Sequence, residues 1–296
     1  MMLAACGGTT TTGPQPDAAA SEFTPPAGLT SYDSVVTFAS TPFVLMPGQE
    51  VFKCQDFANP FGGVDTDLQA FQSVMTPGSH HMLLFYQDGA GDVPLNDCPA
   101  LQFQTLPYAA QSPENAIVYP DGIGGRMPGT QGFHMQMHYL NSSMAPMTVQ
   151  VKIALYKAVP QAVKQHAGVF FLNNVSGIHV PAKSVQTVTA SYTFKQPVKF
   201  IYGTAHMHKY DNNLVATMGG KTLFQTESWD APPFTKYLPE LDVPAGSTVT
   251  WSCEVNNTTA TKLTFGESAL TNDMCIFTGQ YYPVLDDADP TILSVQ

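Results

Sequence analysis

Thr148-Val149-Gln150-Val151-Lys152-Ile153-Ala154-Leu155-Tyr156 is the stretch that decides the fold. Val149, Val151, Ile153 and Leu155 recur at every second position, so an extended backbone gathers them on one face. The same period returns in Val185 to Phe194, and in Thr248 to Glu254, where Val249, Trp251 and Cys253 share a face. His81 to Tyr86 reads as a buried-strand type of run. The 24 prolines and 23 glycines are scattered along the chain and leave little room for long helices. Many short strands with turn residues between them predict an all-β protein built from sandwiches or barrels. One sandwich of 296 residues would be large. Two are therefore expected, divided near Lys157-Ala158-Val159-Pro160, directly after the deciding strand. No short-period internal repeat is present.

Composition narrows the function. Hydrophobic residues make up 44% of the chain, enough for a full core. Charged residues make up 12%, and the net charge is −11. Arg126 is the sole arginine, and no basic stripe exists, which argues against nucleic acid as a partner. No apolar run approaches the ~20 residues that span a bilayer. Of the five cysteines, Cys6 stands in Leu3-Ala4-Ala5-Cys6-Gly7, which resembles a bacterial lipobox. The Thr, Pro, Gly and Ala-rich segment from Gly7 to Pro26 reads as a tether, so residues 1–30 are expected to lie outside the sandwiches. Too few residues precede Cys6 for a complete export signal, and a start further upstream is expected. The bland alternative is a disordered N-terminus with an incidental cysteine. Membrane contact is expected only through a lipid on Cys6.

The histidines carry the chemistry. Val198 to His208 alternates, with Val198, Phe200, Tyr202, Thr204, His206 and His208 on one face. Residues i and i+2 of a strand lie about 7 Å apart, so two such imidazoles can converge on one metal. Alone, a His-x-His is more often a surface or core pair. His80 and His81 are neighbours, and a regular strand would point them to opposite faces. Joint ligation requires a twist or bulge there, and Pro77-Gly78 just upstream is consistent with one. His138 lies in the alternating stretch Phe133 to Tyr139 and shares a face with Gln136 and His134. His134 is too far along the strand to join His138 on one ion. Met274, in Thr271-Asn272-Asp273-Met274-Cys275, would usually be core filler. As a ligand beside imidazoles, its thioether selects copper over zinc.

The order Cys54, His80-His81-Met82, Cys98, His138-Tyr139, His206-Met207-His208, Cys253, Met274-Cys275 and Tyr281-Tyr282-Pro283 resembles one family. It is that of the copper type II, ascorbate-dependent monooxygenases, the group of dopamine β-monooxygenase and peptidylglycine α-hydroxylating monooxygenase. The resemblance runs from about Ser34 to Pro283, and includes Tyr119-Pro120-Asp121-Gly122 and Pro128-Gly129. It implies two tandem jelly-roll-type antiparallel β-sandwiches, here residues 31–157 and 158–296, facing each other across a water-filled cleft. It implies an electron-transfer copper on His80, His81 and His138, and an oxygen-binding copper on His206, His208 and Met274. It pairs Cys54 with Cys98 and Cys253 with Cys275, and so requires an oxidising, extracytoplasmic compartment such as the periplasm or cell surface. The implied reaction is hydroxylation of a C–H bond in a small organic substrate, with O2 and ascorbate or a similar one-electron reductant.

The chain departs from the peptide-amidating branch. The arginine and tyrosine that hold a substrate carboxylate there are Thr204 and Thr278 here, so a bidentate clamp is not expected. His134, His166 and His179 have no matched role and read as structural or surface residues. The competing expectation is a copper-binding or copper-handling lipoprotein that hydroxylates nothing.

Overall fold

A computed structural model describes residues 23–76, 78–89, 91–99 and 105–285. Every regular element among them is a β-strand, as the alternation predicts. Strand pairing is antiparallel throughout, apart from Gln165–His166 beside Ile123–Met127.

Two pairs of larger sheets build the described molecule, with two-stranded sheets of Phe43–Leu45 with Met147–Val149 and of His179–Val180 with Leu263–Thr264 beside them. One sheet of the first pair runs Ser34–Ala39, Val151–Lys157, Thr66–Met75, Ile123–Met127, Gln165–His166, with Glu114–Val118 also beside Thr66–Met75. Its partner runs Val93–Asp97, Glu50–Phe57, Gln131–Leu140, Ser79–Asp88, Tyr108–Ala110. Phe71, Met135, Met137, Ile153 and Leu155 fill the space between them. The second pair holds Gly168–Asn173, Cys275–Tyr282, Val198–Met207, Thr235–Val243 in one sheet. Ser184–Thr193, Thr248–Asn257, Asp211–Met218, Lys221–Thr226 form the other. Phe170, Phe200, Leu214, Trp251 and Phe277 pack inside.

The deciding stretch behaves as its pattern requires, with one interruption. Val149, Val151, Ile153 and Leu155 are all fully buried. The strand breaks at Gln150, where pairing passes from Phe43–Leu45 to the larger sheet. The Gln150 backbone stays satisfied: its N–H donates to Thr76 Oγ1 at 3.0 Å and its carbonyl accepts from Thr76 N at 3.0 Å. Ala154 and Tyr156, on the outward face, are buried too. Phe23, Leu29 and Val35 cover them. Residues 23–30 were expected to be part of a tether. Their two apolar side chains instead find an apolar sheet face, and that burial holds the segment down. Cys6 lies outside the described residues.

In Thr248–Asn257, Val249, Trp251, Cys253 and Val255 are sealed in the core. The Trp251 indole donates to the Cys275 carbonyl at 3.1 Å, so its one polar atom is matched. Cys54 is bonded to Cys98 and Cys253 to Cys275, with Cα–Cα separations of 5.7 and 5.9 Å. The second bridge fixes the chain directly after Met274.

The two sandwiches pack face to face. Phe85 and Leu106 meet Val169, flanked by Leu83, Ala109 and Phe171. Hydrogen bonds cross the same junction: Tyr202 OH donates to Val118 O at 3.0 Å and Tyr119 OH to Gln280 Oε1 at 3.2 Å.

Candidate metal centre

Two bulges aim the histidines. Between Gln131–Leu140 and Ser79–Asp88, His138 stands opposite His81, and Tyr139 opposite Ser79. His80 is left over as the extra residue of a bulge, the irregularity that the His80-His81 pair requires. Gly78 makes the approach possible. Its φ is +98°, and a Cβ there would lie 2.9 Å from the Met147 sulfur. The His80 and His81 rings consequently end 5.1 Å apart, centroid to centroid.

The second bulge lies between Phe200 and Tyr202, against both neighbouring strands. It overturns the expectation that Val198 to His208 keeps one set of side chains on one face. Val198 and Phe200 point into their own core, as do Ala205 and Met207. Tyr202 joins the core of the other sandwich, and His206 reaches Gln111 there. The extra residue shifts the parity. Unbroken alternation would have put His206 on the face of Val198 and Phe200, inside an apolar core.

The result is one cluster of five imidazoles. From His80, the ring centroids of His138, His206 and His208 lie at 5.0, 5.0 and 5.4 Å. His81 is 4.9 Å from His138 and 5.0 Å from His206. Two triads, His80/His81/His138 and His80/His206/His208, each bring three ring nitrogens within 4.8 Å of one another. The expectation of two ligand groups facing each other across a water-filled cleft is therefore not met. Apolar packing around Phe85, Leu106 and Val169 closes the junction and brings the groups together.

Met274 directly precedes the strand that pairs with Val198–Met207. His206 pairs with Ile276, and Met207 with Cys275. That register ends at Cys275, the residue after Met274, and Met274 is buried.

Residues that no motif singled out complete the centre. His138 Nε2 meets Glu50 Oε1 at 2.9 Å. His206 Nδ1 meets Gln111 Oε1 at 2.7 Å, and Gln111 Nε2 donates to Trp229 O at 2.6 Å. His208 Nδ1 meets the Asn272 carbonyl at 3.2 Å. An ionised carboxylate, an amide oxygen and a backbone carbonyl only accept, so each ring carries its proton on that side. The other nitrogen keeps a lone pair for a metal, the usual role of such outer partners. Glu50 also accepts from Ser268 Oγ at 2.9 Å and Ala269 N at 3.0 Å, so it ties the first sandwich to the loop that leads to Met274.

The nitrogens fit a metal. Both ring nitrogens of His80 and of His81, Nδ1 of His138 and Nε2 of His208 are buried without a hydrogen-bond partner among the described residues. A buried polar atom left unmatched costs about 1–3 kcal/mol, which a coordinated ion would offset. Burial, then the neighbouring imidazoles, holds His80, His81 and His206 well below the usual histidine range. Burial takes His208 down to about 4, against the opposing pull of the Asn272 carbonyl. These rings are neutral at pH 7, the form that binds metals. Burial, then the neighbouring Asp273, raises Asp211 well above the carboxylate range, and burial raises Asp273 to about 6.

The remaining histidines stay apart from the cluster. His134 Nδ1 is 2.5 Å from Asp56 Oδ1, and His166 Nε2 is 2.8 Å from Asp67 Oδ1. His179 is exposed on a short strand. Thr278 Oγ1 donates to Phe170 O at 2.7 Å, and Thr204 is buried. Arg126 is occupied by Asp65 at 3.3 Å.

No family model matches the chain, and no curated protein matches it. Among solved structures, the major capsid protein P2 from bacteriophage PM2 aligns with 5% identity and a TM-score of 0.34, over 86% of this chain and 100% of its own. AerE from Microcystis aeruginosa aligns with 9% identity and a TM-score of 0.20, over 83% of this chain and 88% of its own. Neither is described as a copper protein, and at these scores neither bears on function.

Proposed function

We propose that the chain is a copper-dependent monooxygenase that hydroxylates a C–H bond of a small organic substrate with O2 and a one-electron reductant such as ascorbate. The observation that carries this reading is the cluster itself: five buried imidazoles drawn from both sandwiches, with unmatched nitrogens, to which Met274 would add a thioether. Imidazole with thioether suits copper better than zinc or magnesium. Bound copper would supply one-electron redox chemistry and oxygen activation. The chain's own residues hold the neutral donors, fix their tautomers through Glu50, Gln111 and Asn272, and keep bulk water away. With Arg126 engaged and threonines at 204 and 278, the substrate is one that needs no carboxylate clamp. The two disulfides fit an extracytoplasmic compartment, where a lipid on Cys6 would anchor the chain.

Burial also favours a second reading. His138 and His208 are fully buried, as suits a protein that holds copper without turning over a substrate. The test is ascorbate-driven oxygen consumption by the copper-loaded chain across a panel of small organic compounds. A hydroxylated product formed in step with oxygen uptake supports the monooxygenase. Tight copper binding with no product on any compound supports the copper-holding protein, and no copper binding overturns both.

A further inference from the structure

His80 occupies a position unlike that of the other four histidines. Its ring is the one that lies within 5.4 Å of every other ring in the cluster. It is also the member common to both triads. His138, His206 and His208 each spend one nitrogen on Glu50, Gln111 or Asn272, which leaves one for a metal. His80 spends neither: both of its nitrogens are buried and, among the described residues, without a partner. A histidine with one metal ordinarily donates its second N–H to a carboxylate, carbonyl or water. Among the described residues no such acceptor faces His80, whose ring also lies 5.7 Å from that of Trp229. The rings of His81 and His138 lie near it, and so do those of His206 and His208. His81 is likewise without partners, but it belongs to one triad and has no ring contact with His208.

We propose that His80 bridges two metal ions, giving one ring nitrogen to a position shared with His81 and His138 and the other to a position shared with His206 and His208. This rests on the metal-binding part of the proposed function. The bridge carries a proton balance. Neutral His80 gives its lone-pair nitrogen to the first ion. The second ion takes the other nitrogen as its N–H proton leaves for solvent, so the ring becomes an imidazolate. No electron changes hands. Gln111, Glu50 and Asn272 then act as outer anchors for the terminal ligands, while the bridging ring is oriented by the two ions and by its bulged backbone.

The experiment titrates the full chain with copper(II) alone, anaerobically and without reductant, and counts electron spins by low-temperature resonance. One equivalent should give one full spin per chain. At two equivalents a bridging imidazolate pairs the two spins, and the integrated signal per copper should fall below about half. Calorimetry in buffers of different ionisation enthalpy should show one extra proton released with the second ion. His80→Ala should still bind copper through the remaining histidines, with one full spin per bound ion. If wild type binds two coppers with full, independent spins, or binds only one, the bridge is wrong while metal binding stands. If wild type binds none, the proposed function and the bridge both fall. The wild-type spin count decides the question even if His80→Ala does not fold.

Discussion

Replacing Glu50 with alanine should loosen the junction between the sandwiches and weaken the metal centre at the same time. Its carboxylate accepts from His138 Nε2, Ser268 Oγ and Ala269 N, at 2.9, 2.9 and 3.0 Å. Hydrogen bonds to a charged group contribute about 1.5–3 kcal/mol each. The side chain is 14% exposed, so water can recover part of what truncation removes. A net loss of about 2–4 kcal/mol is expected, and at roughly 2–4 °C per kcal/mol the melting midpoint should fall by about 5–10 °C. The same change frees the His138 ring, and losing such an outer partner typically costs 10–100-fold in metal affinity. The pH dependence has a definite sign. Burial pushes the Glu50 carboxyl up, but His138, Ser268 and Ala269 outweigh it and hold the group below its ordinary 4.5. A lowered carboxylate gives stability that is complete above its unfolded pKa and is lost as pH falls through the folded value. The gap between wild type and Glu50→Ala should therefore be constant above about pH 5.5 and close in more acid solution. Calorimetry and competitive zinc(II) titration measure both effects, with Glu50→Gln falling between. A Glu50→Ala midpoint within about 1 °C of wild type, together with unchanged zinc affinity, would refute the role assigned to this carboxylate.

Gln111→Leu removes the acceptor for His206 and the donor to Trp229, so metal affinity should fall about 10–100-fold. Gln111→Glu keeps an acceptor for His206 and should retain most of it, and equal losses in the two variants would count against a tautomer-fixing role. With His208 near 4 and His80, His81 and His206 also lowered, protons compete for these ligands only in strong acid. Affinity for the first copper should thus change little from pH 7 to 5.5 on account of these four rings, where each ordinary histidine would cost about tenfold; a steep loss in that first step contradicts their lowering, whereas the second copper, which displaces the His80 N–H proton, should weaken about tenfold per pH unit. Met274→Ile removes the thioether and no imidazole. It should leave copper on the histidines and abolish turnover, whereas full activity would show that Met274 is not a ligand. Cys253→Ser should cost about 2–5 kcal/mol and disturb the Met274 segment, as melting and copper titration together would show.

Period-two alternation made the fold legible, because residues such as Val149, Val151, Ile153 and Leu155 must share a face on any strand. The outward face of that strand was harder to read. Ala154 and Tyr156 look like ordinary alternating partners, and only the packing of Phe23 and Leu29 shows them to be core. The same limit governs the site. His138 and the His80-His81 pair were legible as candidates, since the pair demanded a bulge and Gly78 lay where one could form. The outer partners were not: Glu50, Gln111 and Asn272 are ordinary residues brought in over long sequence separations, and their roles exist only once the sandwiches dock. His206 shows why spacing alone fails. Counting by twos from Val198 assigns it to the side of Phe200, and the count is correct for a strand without interruption. One extra residue between Phe200 and Tyr202 reverses every assignment after it. That residue carries His206 out of its own sandwich and toward Gln111 and His80. A bulge leaves no reliable mark on hydrophobic periodicity, because the positions on either side of it still alternate. The five histidines meet because two such bulges, one in each sandwich, turn ligands toward a shared junction that neither strand pattern reveals alone.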